Sequence, residues 1–427
     1  MMQKEILKSA RTGDSCVHVK HKSGLDIYIC EMKGFRSVEA VIGTKYGSIN
    51  NMFRTDSDSE FTTVPEGIAH FLEHKLFENQ ECGVFELFAK TGANCNAYTS
   101  FDKTAYLFSC SSNYQENLRI LLNFVQDPYF TDENVKKEMG IIGQEIQMTC
   151  DDPDWRVMFN MLECMYHSHP VKIDIAGTKE SISHITPELL YKCYNTFYDL
   201  NNMALSIAGN IDADEVLAIC DECLKDCEDH GLETYFGDEP ETIVKKEIRQ
   251  KFDIGADIFN LGYKCRPCSG SEKLKKTAEA AIAGELLTDP SSEMYQRLLK
   301  ANIINSTFSY EVFTGDGYFS LIFSGESEKS EIIRDELIAE VKRMVNEGIP
   351  EKDFRRFQKT MYAVLIRELN NVEMVSSMML DAYLEGVSPF DIIEHIAELT
   401  AQDVCGFMKN ELDSEKLVLS VVERKAE

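Results

Sequence analysis

Positive charge is scarce in this sequence. Only 44 lysines and arginines stand against 72 aspartates and glutamates, a formal net charge of −28 over 427 residues. Such a surface repels phosphate backbones and anionic headgroups, so neither nucleic acid nor the membrane is an expected partner. Long apolar runs are also missing. No window reaches the roughly 18 residues of a membrane span, and the opening "MMQKEILKSARTGDS" has no apolar segment of the kind an export signal carries. The expected compartment is the cytoplasm. Ten prolines and 24 glycines are too few for a fibrous or disordered chain. No glycine-rich phosphate loop appears, so nucleotide use is not indicated.

What is present is apolar residue, 44% of the chain. That fills a core and, at this length, predicts two or three domains. The fourteen cysteines are scattered, which favours reduced thiols over a disulfide framework. Two Cys-x-x-Cys pairs occur, Cys220/Cys223 and Cys265/Cys268. The stretch "DEVLAICDECLKDCEDHG" reads as one amphipathic helix whose Cys220, Cys223 and Cys227 share core spacing with Val216, Ile219 and Leu224. These are expected to be packed thiols rather than zinc ligands.

The chain states one pattern twice. In the first half, "SGLDIYICEM" and "RSVEAVIGTKYGS" alternate as strands, and "NCNAYTSFDKTAYLFSCS" as a strand pair. Long helical patterns follow, and "ITPELLYKCYNTFYDLNNMALSIAGNI" closes the half as helix and strand, with Thr186 as N-cap before Pro187. The second half repeats the order: a strand in "KFDIGADIFNLGYK", a helix in "SEKLKKTAEAAIAGELLT", a hairpin turning at Thr314–Gly317, then helices and a final strand. The polar stretch 230–247 is the natural linker. The expected architecture is α+β: two homologous α/β-sandwich domains, 1–229 and 248–427, each a mostly antiparallel sheet covered by helices.

Chemistry concentrates in "EGIAHFLEHKLFENQ". His70 and His74 are four apart and lie on one helical face, with Glu73 beside them. Two imidazoles so placed reach one ion, and a catalytic zinc needs a third protein ligand while keeping a position for water. The helix "TDENVKKEMGIIGQEIQM" offers Glu138 and Glu145, seven apart on one face. A carboxylate on a buried face requires a positive partner. Gln144 and Gln147 beside Glu145, and Lys136 and Lys137 beside Glu138, leave a solvated face open for each. His167 and His169 in "YHSHP" read as turn histidines after a helix.

The order His-x-x-Glu-His is the signature of inverted zincins. With "GANCNAYTSFDKTAY", "EMGIIGQEIQ", "YHSHPVKIDIAGT" and "YDLNNMALSIAGNID", the chain resembles the pitrilysin (M16-type) zinc peptidases, in particular the bacterial two-domain group similar to mitochondrial processing peptidase. The resemblance implies one Zn2+ per chain held by His70, His74 and Glu145. It implies Glu73 as general base, Glu138 as the residue orienting a ligand histidine, and Asn96 and Ala97 on a substrate-binding edge strand. The implied activity is zinc-dependent endopeptidase hydrolysis of peptides or unfolded protein segments. A non-catalytic scaffold subunit and a dedicated maturation protease are the alternatives.

The second half departs from the pattern. It holds one histidine, His395, and no second zinc motif, so its expected role is to close a chamber over the first. The family's arginine position falls on Leu299; Arg297 and Tyr310 are the nearest candidates for a substrate clamp, both out of register. The expected remedy is a related partner chain lacking zinc ligands, or a homodimer.

Overall fold

The alternating stretches become two sheets in the computed structural model, which describes residues 4–78 and 83–425. The first is built from β1 (Lys4–Lys8), β2 (Ser15–Lys20), β3 (Asp26–Glu31) and β4 (Val38–Thr44). A small ribbon follows with β5 (Met52–Arg54) and β6 (Thr62–Thr63). Then come β7 (Asn94–Thr99), β8 (Thr104–Cys110) and β9 (Met203–Gly209), while β10 (Glu233–Thr234) joins the ribbon beside β5. The main sheet runs β1-β2-β3-β9-β4-β8-β7, antiparallel except between β3 and β9, with β7 at an edge. The second sheet contains β11 (Glu247–Phe252), β12 (Ile258–Cys265), β13 (Ser309–Gly315), β14 (Tyr318–Glu326) and β15 (Leu417–Arg424), ordered β11-β15-β12-β14-β13. Among the described residues its only parallel pair is β11 with β15. This repeats the β3-β9-β4-β8-β7 part of the first sheet strand for strand, so the duplication is written in topology as well as in order. Six strands were not read from the sequence: β1, β2, β11 and the short ribbon strands β5, β6 and β10. β1 is exposed along most of its length and shows no apolar alternation, and β11 is likewise only half-buried.

The chain forms two compact units, and each draws on both halves. One holds residues up to Ile146, Asp174–Tyr235 and Ile366–Phe390; the other holds Gln147–Ile173, Phe236–Leu365 and Asp391 onward. In the first unit one sheet face packs on a core that includes Phe71, Leu72, Phe88, Phe108, Leu121 and Phe197. The other face carries the helix Val372–Glu385, which comes from the second half. In the second unit the corresponding face carries the helix Pro153–Met165, from the first half. A glycine admits each helix. A Cβ on Gly43 of β4 would stand 2.8 Å from Leu380, and one on Gly262 of β12 would stand 2.2 Å from Met165. The helices are thus exchanged between the halves.

The 230–247 stretch is bonded along its length. Asp56 N donates to His230 O at 3.0 Å, and β10 pairs with β5 in the first unit. In the second unit Glu239 accepts from the backbone N–H of His167, Ser168 and His169 and pairs with the buried Lys264. His169 is a buried turn residue: Nδ1 accepts from Val171 N, so Nε2 carries the proton donated to Asp316 O at 2.9 Å. Burial lowers its pKa to about 4. The cysteine helix is shorter than expected. It ends at Cys223, and Cys227 lies beyond it, its thiol donating to Asp199 at 3.2 Å; the charged run "LKDCEDHG" has no face left to bury after Leu224.

Glu39 shares its side of β4 with Gly43 and is only 5% exposed. Burial, reinforced by the like charge of Glu373, pushes its carboxyl up to about 7. A carboxyl raised in the fold contributes stability that is complete below the unfolded value and lost as pH rises through the folded one. Up to about 3 kcal/mol is expected to disappear between pH 5 and pH 8. Glu39→Gln is therefore expected to gain on the wild type by that amount across the interval in urea melts; parallel pH dependences for the two proteins would refute it.

Candidate active site

Local sequence sets the motif helix, Ile68–Leu76, by a close backbone crossing. Gly67, at φ +85°, precedes the first turn, and a Cβ there would lie 2.3 Å from Ala176 O. Ser181 Oγ donates to Glu66 O at 2.9 Å and closes the crossing. The segments around "PEGIAHF" and "DIAGTKES" thus interlock, and only a residue without a side chain fits between them. Ile68, Phe71, Leu72 and Leu76 sink into the core, which leaves His70, Glu73 and His74 on the remaining face. Ligand atoms of these three lie within 4.8 Å of one another.

The helix Asp132–Cys150 brings both of its glutamates to them. Glu145 Oε1 is 3.5 Å from His70 Nε2, and Oε2 is 3.6 Å from His74 Nε2. Glu138 is 5% exposed, and its Oε1 accepts from His74 Nδ1 at 3.0 Å. That bond fixes the tautomer of His74 and leaves the Nε2 lone pair facing Glu145. His70 Nδ1 is buried with no hydrogen-bond partner among the described residues. Glu73 is buried as well, and Thr99 Oγ1 at the end of β7 donates to its Oε2 at 3.3 Å.

Charge and burial oppose each other here. Burial drives the Glu73 carboxyl above its ordinary range and outweighs the pull of His70, His74 and Thr99. His74 is lowered by burial, but its bond to Glu138 and the charges of Glu73 and Glu145 leave it raised. Glu138 is raised by burial, yet the His74 bond and the Lys75 charge hold it below the usual carboxylate value. Glu145 is lowered chiefly by its hydrogen bond with His70.

The donor set fits zinc. Ligand atoms about 2.0–2.2 Å from a tetrahedral ion stand roughly 3.4 Å apart, close to the Glu145–histidine separations. Two imidazoles and one carboxylate are ligands zinc accepts, and a three-residue set keeps a position for water.

Asn96 is exposed on β7 and Ala97 half-buried; Asn96 Oδ1 accepts from Ala97 N at 2.9 Å. Arg297 and Tyr310 belong to the other unit. Arg297 pairs with Glu336 at 2.7 Å, and Tyr310 donates to Glu285 Oε1 at 3.2 Å with its ring against Gly284. Sequence reasoning missed Lys75 and Thr99. Lys75 directly follows His74 and is three residues from Glu78, but nothing in the pattern reports that it is buried.

The His-x-x-Glu-His order, carried here on one helix, is the motif of the inverted-zincin class. Comparison with known proteins names the family within that class. Residues 61–179 match the model described as insulinase (peptidase family M16), and residues 184–361 match the peptidase M16 inactive domain. The chain is 37% identical over 424 residues to "Uncharacterized zinc protease YmfH" of Bacillus subtilis (strain 168), covering 97% of each. It is 27% identical over 401 residues to an "Uncharacterized zinc protease" of Rickettsia felis, covering 90% of this chain and 92% of that protein. A crystal structure described as an M16-like peptidase from Alicyclobacillus acidocaldarius superposes with a TM-score of 0.92 at 32% identity, covering 99% of both chains. This chain belongs to the M16 peptidase family. Among the described residues no helix is long and apolar enough to cross a membrane.

Proposed function

We propose that this protein is a zinc-dependent endopeptidase acting on peptides or unfolded protein segments. The observation that carries this reading is the placement of Glu145, one oxygen toward each histidine Nε2, at 3.5 and 3.6 Å. His70, His74 and Glu145 are the proposed ligands of one Zn2+. When bound, zinc lowers the pKa of its water and polarises a peptide carbonyl. Glu73 takes a proton from the attacking water and returns it to the leaving amine. Burial raises its carboxyl above the ordinary range, and Thr99 Oγ1 donates to its Oε2. Glu138 keeps the His74 ring in place. A peptide adds along the free edge of β7 at Asn96 and Ala97, where main-chain bonding tolerates many side chains. The complete donor set argues against a scaffold-only subunit.

The partner reading has support of its own. Arg297 and Tyr310 are both engaged within their own unit, and Leu299 offers no charge. A related chain without zinc ligands, or a second copy, is the proposed source of a clamp. Metal analysis joined to cleavage of a quenched peptide tests both readings. Zinc near one per chain, loss of cleavage with chelator and recovery on adding zinc are expected, with His74→Ala losing most of the metal. Zinc-free protein, or cleavage indifferent to chelator, overturns the activity; full-rate cleavage by a size-fractionated monomer overturns the partner.

A further inference from the structure

Lys75 is the charged residue of the motif helix that this mechanism leaves without a task. Its side chain has no solvent exposure. Its Nζ lies 2.5 Å from Glu78 Oε2 and 3.8 Å from Glu138 Oε2. The other oxygen of Glu138 accepts a hydrogen bond from His74 Nδ1. Consecutive residues of one helix therefore face the two oxygens of one carboxylate, His74 through a hydrogen bond and Lys75 across an ion-pair separation. Neighbouring positions on a helix point about 100° apart, so only a long flexible stem brings the second back to the same group. Glu78 Oε1 is met in turn by Lys137 at 3.4 Å, from the helix that carries Glu138. The result is a chain of alternating charges joining the two helices behind the histidine pair.

A buried ion pair is weak evidence for stability. Burying an ammonium is costly, and buried ion pairs can often be replaced by apolar side chains without loss. A fixed charge does something an apolar group cannot, which is to orient a carboxylate that has several rotamers. We propose that Lys75 is a positioning residue acting through Glu138. It holds Glu138 Oε2 so that Oε1 aims at His74 Nδ1, and this keeps His74 Nε2 turned toward the metal. The inference rests on the zinc reading above and adds to it a determinant of metal affinity one step removed from the ligands.

The test is a zinc affinity cycle, with a chromophoric chelator as competitor and metal-free protein checked for cooperative unfolding. The wild type, Lys75→Met, Glu138→Gln and the double variant are compared. Lys75→Met is expected to weaken zinc binding by roughly 10- to 100-fold, the usual effect of losing a partner behind a ligand. In the Glu138→Gln background the same change is expected to cost less than about twofold. Should Lys75→Met not fold, Lys75→Gln is read in the same cycle. Wild-type affinity in the folded Lys75 variant, or an equal loss in both backgrounds, overturns the proposal while leaving the zinc reading intact. A wild type that binds no zinc overturns the zinc reading itself and this inference with it.

Discussion

Glu73→Gln is expected to remove nearly all peptide cleavage while the protein stays folded and keeps its zinc. The amide has the shape of the carboxylate but no basic oxygen lone pair of comparable strength, so it cannot take the water's proton. General bases contribute about 10²–10⁴-fold, which sets the expected fall in kcat. Metal content should not change, because the proposed ligands His70, His74 and Glu145 are untouched. Packing should hold too: Thr99 Oγ1, which donates to Glu73 Oε2 at 3.3 Å, can donate equally to an amide oxygen. Removing a buried carboxyl whose pKa is raised by burial relieves an unfavourable charge, so thermal stability is expected to be equal or higher. The comparison is steady-state cleavage of a quenched peptide alongside metal analysis of the same samples. Wild-type turnover by the variant would show that Glu73 is not the base.

The second large effect concerns folding. Residues 1–246 and 247–427, produced separately so that the bonded stretch 230–246 is kept, are each expected to lack cooperative structure, and mixing them is expected to restore it. In the first unit, Val375, Met379 and Leu380 of the helix Val372–Glu385 are buried to within 2%. Without that helix, the sheet face around Gly43 loses its cover. At about 1.5–3 kcal/mol for each large apolar side chain, the loss is on the order of 6–12 kcal/mol when Val372 is included. That is comparable to the whole stability of an ordinary domain. The second unit has the same dependence on Val157, Met161, Leu162 and Met165. Circular dichroism melts of each fragment and of the mixture decide the point. A cooperative transition in fragment 1–246 alone would show that the exchanged helix is dispensable.

The fold was legible wherever one periodicity dominated. The alternation of β4, the paired strands β7 and β8, and the N-cap at Thr186, which does accept from Leu189 N, all follow from the local chain. β1 and β11 were not legible because exposed strands lack the apolar alternation that reveals the others, and β2 and the two- and three-residue ribbon strands were not read either. The helix exchange was equally hidden. "DWRVMFNMLECMYH" and the helix at Val372 are both amphipathic, and amphipathicity says that a face is buried without saying against which sheet.

The same division runs through the site. His70, Glu73 and His74 could be placed together from spacing alone, because the rise and turn of a helix are fixed by backbone hydrogen bonding. Where Glu145 points, that Glu138 meets His74 rather than water, and that Lys75 is buried were decided only by how two helices pack, 64 residues apart between Glu138 and His74. Local geometry is a property of neighbouring residues and can be read from their order. Burial and long-range pairing depend on which apolar faces find each other, and that is settled when the whole chain has condensed.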